Sequence, residues 1–537
     1  MNESATPGPE ITTTAGVVRG LVDRELGIQT WRGVPFGADT SGSQRFRAPQ
    51  PPNEWRGVKD ATAFGPRAPQ PTYSWTDRVI GSEDCLNLDI VRPDNDDQLP
   101  VVVYLHGGSF IMGASHERML RGYHLATTMQ VVYVAINFRL GALGYLDLRS
   151  IGEDCVANPA VRDQILALQW VQSNIAAFGG DPDNVTLMGE SAGGASVTTL
   201  MGVSATRGLF HRAIAQSPPI SVLHSRAQAT LWARELVYRM ALPRQTTLSD
   251  LRQMEAADLV RAGQSMMWRG GELLHLNSCY APTVDGGVVP DHPMNIFQAG
   301  QQAQVPLLIG TNSDEASFSK LFYMRTVARS RAALRLLTAF DPEHAPRVLA
   351  AYDGATERTQ FAELLADALF WAPSIRLASD HSQMAPTWMY RFDYAPAALR
   401  WLGIGAMHSL ELSAVFGDPA ASRTNGFARL GGMDGLEELT QMMQYHWGQF
   451  IHHGHPGSEW PAYRRPTDDT PGRATAIFDD GLRVVYDPKA ARRRAWEDYR
   501  MIEWGNGRPE LLENLGLMIG DELGGDSNRW AGDRARG

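Results

Sequence analysis

Cysteine is nearly absent from this sequence, which contains only three among 537 residues. Cys85, Cys155 and Cys279 are too few for a disulfide framework in a chain of this length, and their odd number leaves at least one thiol unpaired within the chain. This composition favours a reducing compartment. We therefore expect a cytoplasmic protein.

Long apolar runs are also missing. The longest, such as residues 101–105 and 131–136, are far shorter than the roughly 18 residues that a membrane-spanning helix requires. Residues 1–8 have neither the cationic start nor the apolar stretch of a secretory signal. We therefore expect no membrane span.

Positive charge is scarce as well, because 49 Lys and Arg residues face 59 Asp and Glu residues and leave a formal net charge of −10. This balance argues against a nucleic-acid partner, which would need a basic surface. The 52 glycines and 32 prolines remain below the share, roughly a quarter of all residues, that is typical of low-complexity chains. We expect a globular chain with a disordered tail at residues 524–537.

The sequence does contain alternating strand and helix patterns. Short β-branched runs followed by turn residues predict strands that are buried on both faces of a parallel sheet, at residues 101–105, 131–136, 185–188 and 305–309. Before the third run, apolar residues from Ile165 to Phe178 recur at helical spacing, and the glycines at 179 and 180 predict the end of that helix. Strand and helix in alternation indicate the α/β class.

Two stretches, at about 225–280 and 318–385, have helical periodicity without comparable strand runs. They predict helical insertions that cover the sheet, and since no linker is visible, residues 1–523 are expected to form one catalytic domain. Five aromatic residues in these insertions are candidates for lining a substrate gorge, although each is equally compatible with the core: Trp268, Phe318, Phe322, Phe370 and Trp371.

The pentapeptide Gly189-Glu190-Ser191-Ala192-Gly193 follows the third predicted strand and opens into a helix-compatible segment. This strand–turn–helix context is the one in which a G-x-S-x-G motif exposes a nucleophilic serine. The helix start behind Ser191 offers backbone amides to developing negative charge. The alternative is an ordinary glycine-rich turn, which the matching flanks disfavour.

The residues His106-Gly107-Gly108 directly follow the first predicted strand. A glycine pair lets backbone amides turn towards a tetrahedral intermediate without a Cβ in the way. We therefore predict an oxyanion hole formed by the amides of Gly107, Gly108 and Ala192. Without a downstream serine motif, a flexible connector would be the better interpretation.

Several motifs resemble the type-B carboxylesterases, the group that includes the cholinesterases and the bacterial para-nitrobenzyl esterases, and they occur in the same order as in that family. The resemblance extends from about residue 10 to about 505 and favours a bacterial member. It implies an α/β-hydrolase fold, with a mostly parallel sheet flanked by helices. The matching segments are 82–89, 106–108, 137–141, 163–164, 178–194, 208–217, 310–315 and 405–417.

The resemblance also implies a catalytic triad in the chain order Ser, Glu, His. Ser191 matches the nucleophile, Glu315 the acid and His408 the base. Asp314, adjacent to Glu315, is a competing carboxylate, but the family motif places the acid at the second position. Glu190 is expected to lie in a buried polar network rather than to take part in the chemistry.

The expected function is hydrolysis of a small-molecule carboxylic ester through an acyl-enzyme on Ser191, which needs neither cofactor nor metal. Hydrolysis of an amide or a carbamate by the same triad remains an alternative. A non-catalytic binding protein of the same fold is a remote one, because the triad and the oxyanion glycines are all present. The oligomeric state is expected to be a monomer or a homodimer.

Overall fold

The computed structural model describes residues 5–72, 78–267, 278–321, 326–421, 426, 432–468 and 471–502. The predicted tail at 524–537 lies outside these residues. The strands within them are β1 Ala5–Thr12, β2 Val17–Asp23, β3 Ile28–Pro35, β4 Val58–Asp60, β5 Gln70–Pro71, β6 Val79–Ile80, β7 Asn87–Pro93, β8 Leu99–Leu105, β9 Val132–Ile136, β10 Gly180–Glu190, β11 Arg212–Gln216, β12 Leu307–Asn312, β13 Thr387–Phe392, β14 Ala474–Asp479 and β15 Gly481–Tyr486.

The α-helices of the described residues flank these strands and fill the regions between them. They are α1 Tyr123–Met129, α2 Gly141–Tyr145, α3 Pro159–Asn174, α4 Ala192–Met201, α5 Arg226–Arg239, α6 Leu248–Gln253, α7 Ala256–Met267, α8 Pro293–Gln298, α9 Thr326–Phe340, α10 Ala345–Ala350, α11 Arg358–Ala366, α12 Ala372–His381, α13 Ala397–Trp401, α14 Leu412–Val415, α15 Met433–His453 and α16 Ala490–Trp496.

A large mixed sheet forms the centre of the described structure. Its strand order is β1-β2-β3-β7-β9-β8-β10-β11-β12-β13-β14-β15, with β4 paired to β2 outside this path. The central strands, from β9 to β14, are parallel to one another. The first four strands of the order and the last are antiparallel to their neighbours. The predicted α/β-hydrolase fold, with its mostly parallel sheet, is confirmed.

The central strands are apolar on both faces because helices cover the sheet on both sides. All seven residues of β8 are buried. Its alternate residues enter two separate cores, since Val101 and Val103 belong to one apolar cluster and Val102 and Tyr104 to the other. The helix α3 lies on the first of these faces and gives way to a short 3-10 turn that Gly179 ends in a left-handed conformation, with φ 74°.

The carboxyl ends of the parallel strands lie at one edge of the sheet. In open α/β sheets this edge is where ligands bind, because the loops that follow the strands meet there. The loops after β8, β10 and β12 carry Gly107, Ser191 and Glu315 respectively. No helix of the described residues is long and apolar enough to cross a membrane.

Candidate active site

Ser191 lies in a sharp turn between β10 and α4. Its backbone has φ 56° and ψ −124°, a conformation that is uncommon for a residue with a side chain. A 2.9 Å hydrogen bond from the Ser191 amide to the carbonyl of Gln216 holds this turn against β11. Ser191 is partly exposed, whereas its neighbours Glu190 and Ala192 are buried. The turn therefore presents the hydroxyl group to an incoming ligand.

The glycines of the motif let neighbouring backbones approach this turn closely. A Cβ at Gly193 would overlap the carbonyl oxygen of Leu105 at the end of β8. A Cβ at Gly189 would lie 2.5 Å from the backbone of Gly193. Only glycine fits at these two positions, which explains why the turn needs small residues on both sides of the serine.

Three backbone amides beside Ser191 donate to no acceptor in the described part of the chain. They belong to Gly107 and Gly108, directly after β8, and to Ala192, the first residue of α4. A Cβ at Gly107 would lie 2.7 Å from Glu190 Oε2 and 3.1 Å from the Ser191 Cβ, so this loop lies directly against the serine turn. Unpaired amides in such a position are suited to a negatively charged oxygen.

His106 fixes the orientation of the glycine loop. Its ring is buried and stacks on Phe138, with ring centroids 4.5 Å apart. Burial lowers the pKa of His106 to about 4, so the imidazole is neutral at physiological pH. Its Nδ1–H donates to the Gly107 carbonyl at 2.9 Å. Because that carbonyl and the Gly108 amide share one peptide plane, this hydrogen bond sets the direction of the amide.

His408 is joined directly to Glu315. Its Nδ1 lies 2.5 Å from Glu315 Oε2. The Glu315 side chain is 1% exposed and that of His408 is 24% exposed, so the carboxylate is shielded while one edge of the imidazole remains accessible. The ring of Phe370 packs on the imidazole, with centroids 4.7 Å apart. The two distant sequence motifs thus form one hydrogen-bonded pair.

The second oxygen of Glu315 is also fully engaged. Oε1 accepts hydrogen bonds from Ser217 Oγ at 2.6 Å and from the Asn312 amide at 2.7 Å. The competing carboxylate of Asp314 turns away and accepts from the Ala406 amide at 3.2 Å. The structure therefore pairs the imidazole with Glu315 rather than with Asp314.

The other nitrogen of His408 faces Glu190. Its Nε2 lies 3.3 Å from Glu190 Oε1, which also accepts a hydrogen bond from Ser409 Oγ at 2.5 Å. No hydrogen bond joins His408 to Ser191, although both residues border Glu190. Catalytic hydrogen bonds commonly tighten only in the substrate complex. Proton transfer between Ser191 and His408 therefore requires a side-chain movement.

Buried carboxyl groups surround the imidazole and shift one another's pKa values. Burial raises the pKa of Glu411 to about 8, with further contributions from the charges of Glu190 and Glu315. Burial also raises the pKa of Glu190. Burial lowers the pKa of His408, but Glu315 and Glu190 outweigh this effect and raise it to about 10. The charge on Glu190 thus favours a protonated imidazole.

The six residues that the sequence assigns to the site fall into two groups that meet at Glu190: the serine turn with its three amides, and the His408–Glu315 pair. Sequence reasoning missed Ser217, Asn312 and Glu411. Ser217 and Asn312 lie inside family-like motifs, which was an available signal. Glu411 also lies inside such a motif, 405–417, and it is the carboxylate of the otherwise apolar segment 410–415.

Of the aromatic candidates for a substrate gorge, Phe370 lies against His408. Trp371 instead lines a separate cleft between α12 and α16. Trp268, Phe322 and the side chain of Phe318 lie outside the described residues. Phe370 is therefore the aromatic candidate that the described structure places beside the imidazole.

One group of potential metal ligands occurs elsewhere in the described residues. Asp341, Glu343 and His344 bring their ligand atoms within 4.8 Å of one another. However, both oxygens of Asp341 already accept hydrogen bonds, from the amides of Glu343 and His344, from His344 Nδ1 and from Arg500. These hydrogen bonds, which hold the turn before α10 and join it to Arg500, explain the cluster without a metal.

Comparison with known proteins shows the family to which the chain belongs. A model of the carboxylesterase family matches residues 7–474. The para-nitrobenzyl esterase of Bacillus subtilis is 35% identical over 497 residues, which cover 90% of this chain and 97% of that protein. A solved para-nitrobenzyl esterase structure has a TM-score of 0.79 at 34% identity, over 90% of this chain and 99% of that one. A carboxylesterase of Geobacillus stearothermophilus has a TM-score of 0.78 at 31% identity, over 91% and 99% of the two chains.

Proposed function

The chain belongs to the carboxylesterase family and hydrolyses carboxylic esters, and from this premise we propose that Ser191, His408 and Glu315 are its catalytic triad. The relatives favour ester hydrolysis over the amide or carbamate alternative. The observation that carries the proposal is the buried His408–Glu315 hydrogen bond, whose imidazole lies beside the strained turn of Ser191.

In the first step, Ser191 Oγ attacks the ester carbonyl carbon while His408 Nε2 takes the hydroxyl proton. The carbonyl oxygen becomes an oxyanion, which accepts hydrogen bonds from the amides of Gly107, Gly108 and Ala192. Glu315 stabilises the imidazolium through Nδ1 and keeps the correct tautomer. The imidazolium then protonates the alcohol oxygen as its bond to the acyl carbon breaks, which leaves the acyl group on Ser191.

In the second step, the neutral imidazole removes a proton from a water molecule that attacks the acyl carbon. The same three amides hold the second oxyanion. When the bond to Ser191 Oγ breaks, His408 returns the proton to the serine, and the carboxylic acid is released. All proton transfers use one side chain, and the carboxylate of Glu315 stays ionised throughout.

A covalent label tests the assignment of the nucleophile. We expect an organophosphonate to modify the chain once, at Ser191, with loss of esterase activity in proportion to labelling. Fragment ions of the tryptic peptide 163–207 distinguish Ser191 from the other serines in that peptide, such as Ser173 and Ser196. A label on another residue would contradict the assignment. An unlabelled, inactive chain would instead support the non-catalytic alternative.

The contact between Glu190 and His408 predicts a change in pH dependence. Only the neutral imidazole accepts the serine proton, so kcat/KM falls as pH drops through the pKa of His408. The Glu190 charge raises that pKa. We therefore expect Glu190→Gln to move the acid limb of the kcat/KM profile to lower pH.

The control for this profile is Glu10→Gln, the same substitution at a carboxylate whose side chain is 49% exposed and pairs with Arg19 on β2. It should leave the acid limb where it is in the unsubstituted chain. An acid limb that stays in place, or rises, in Glu190→Gln would show that Glu190 does not control the protonation of His408.

Further expectations from the sequence belong to this proposal. We propose a cytoplasmic location, which is supported by the scarcity of cysteine, with three cysteines among 537 residues. We also propose that residues 1–523 form one catalytic domain, whose insertions supply the helices α5–α7 and α9–α12 beside the sheet. The chain is proposed to act on small-molecule esters as a monomer or homodimer.

A further inference from the structure

A second cleft, of about 280 Å³, is lined by residues of α12 and α16. None of its lining residues is a member of the proposed triad or oxyanion hole. Four arginine side chains contribute to its walls, against only two carboxylates, Asp380 and Glu497. The arginines are Arg376, Arg465, Arg473 and Arg493. Although the net charge of the chain is −10, cationic side chains are thus concentrated in this cleft.

Two of the four arginines have carboxylate partners. Arg465 lies 3.0 Å from Asp380, and Arg493 lies 2.8 Å from Asp487. Arg493 also lies 3.7 Å from Glu497, so each of the two lining carboxylates is paired with one of these two arginines. The positive charge that remains belongs to Arg376 and Arg473.

Arg376 and Arg473 make hydrogen bonds only to neutral groups of the described residues. Arg376 Nη2 donates to the backbone carbonyls of Trp496 and Glu497, at 2.8 and 2.6 Å. Arg473 Nη1 donates to Ser379 Oγ at 2.8 Å and to Tyr463 OH at 3.1 Å. Neither guanidinium has a carboxylate at ion-pair distance within the described parts of the chain.

One further guanidinium donor in this cleft is buried without a partner. Arg473 Nε is buried and has no hydrogen-bond partner in the described structure. Partial burial also lowers the pKa of Arg376, against the opposing effects of Asp380, Asp498 and Glu497. Burying a cation without a counter-charge is unfavourable, and an anion that supplies charged acceptors removes that penalty.

We propose that this cleft binds a small organic anion, whose carboxylate or phosphate group lies between Arg376 and Arg473 and whose apolar body packs on the cleft's aromatic wall. Trp371, Ile375 and Trp496 form that apolar part of the lining. A planar guanidinium binds carboxylate and phosphate oxygens through two parallel hydrogen bonds. The volume suits a ligand the size of one substituted ring.

Calorimetric titration of the full chain with benzoate and with phenyl phosphate tests the proposal. We expect one site per chain, and the tighter of the two probes identifies the preferred anionic group. Arg473→Gln should weaken binding about tenfold or more, because it removes a charged donor. Arg465→Glu, at a side chain that is 51% exposed, should weaken binding without disturbing the core.

Two controls separate this site from general attraction of anions. Arg347→Gln removes a charge beside α16 that pairs with Asp498 outside the cleft, and it should leave binding unchanged. Benzamide, which keeps the ring of benzoate without its charge, should bind far more weakly. The proposal is overturned if neither anion binds, if benzamide matches benzoate, or if the two cleft variants bind as the unsubstituted chain does.

Discussion

Ser191→Ala should lower kcat for an activated ester such as para-nitrophenyl acetate by about 10⁴- to 10⁶-fold, the range typical of losing a nucleophilic serine. The substitution removes the proposed nucleophile, while the proposed oxyanion amides and the His408–Glu315 pair remain. Steady-state kinetics, corrected for hydrolysis of the ester without enzyme, measure the loss. An exposed helical serine on α3, Ser173, provides the control, since Ser173→Ala should keep full activity.

The same position tests whether the serine turn stores strain. Ser191 has φ 56°, which a glycine adopts without the steric penalty of a Cβ. Ser191→Gly should therefore be inactive like Ser191→Ala, but should raise the free energy of unfolding by about 1 kcal/mol relative to it. Chemical denaturation of the two variants makes this comparison. An active Ser191→Ala chain would refute the proposed nucleophile, whatever its stability.

The sheet and the serine turn could be predicted because their signals are local. A run such as 101–105 is apolar at every position since both faces of β8 are buried, and the structure extends this strand only to Leu99. Likewise, the glycines at 189 and 193 are required because other backbone segments pack directly against them. The backbone of Gly193 approaches Gly189, and the carbonyl of Leu105 on the neighbouring strand β8 approaches Gly193. Each pattern reflects a constraint that acts on adjacent residues.

The proposed base could not be identified from such signals. His408 lies 93 residues beyond Glu315, and no periodicity or turn signal distinguishes it among the 14 histidines of the chain. Resemblance to a family pointed to it, and the folded chain supplies the contact. The contact of Nε2 with Glu190 was not expected at all, because it depends on how the segment that precedes α14 packs on the end of β10.

The sequence and the structure both assign a role to Glu190. The sequence indicated a buried polar role for this residue, and its side chain is indeed 4% exposed and bonded to Ser409. Its position beside His408 adds an electrostatic consequence, because a buried charge next to an imidazole acts through a low dielectric and is little screened. The protonation of His408, the proposed base, is thus coupled to Glu190 on the serine turn.

Glu315→Gln should lower kcat by about 10⁴-fold while leaving the fold intact, the size of effect expected when a triad carboxylate becomes an amide. Glutamine has nearly the same shape, but its nitrogen cannot accept the Nδ1 proton of His408. The imidazole then loses both its counter-charge and the group that selects its tautomer. The single amide oxygen also has to serve three donors, His408 Nδ1, Ser217 Oγ and the Asn312 amide, which the two carboxylate oxygens share in the unsubstituted chain.

Asp314→Asn is the matched control for this substitution, because it also neutralises a carboxylate in the same loop and keeps the shape of the side chain. Asparagine still accepts the hydrogen bond from Ala406 through its amide oxygen. We expect a loss of less than about tenfold, since Asp314 has no contact with the imidazole. If Asp314→Asn were instead the more damaging change, the acid of the triad would have to be reassigned to Asp314. Comparable small losses in both variants would mean that the imidazole works without a carboxylate partner, which its burial beside Glu315 argues against.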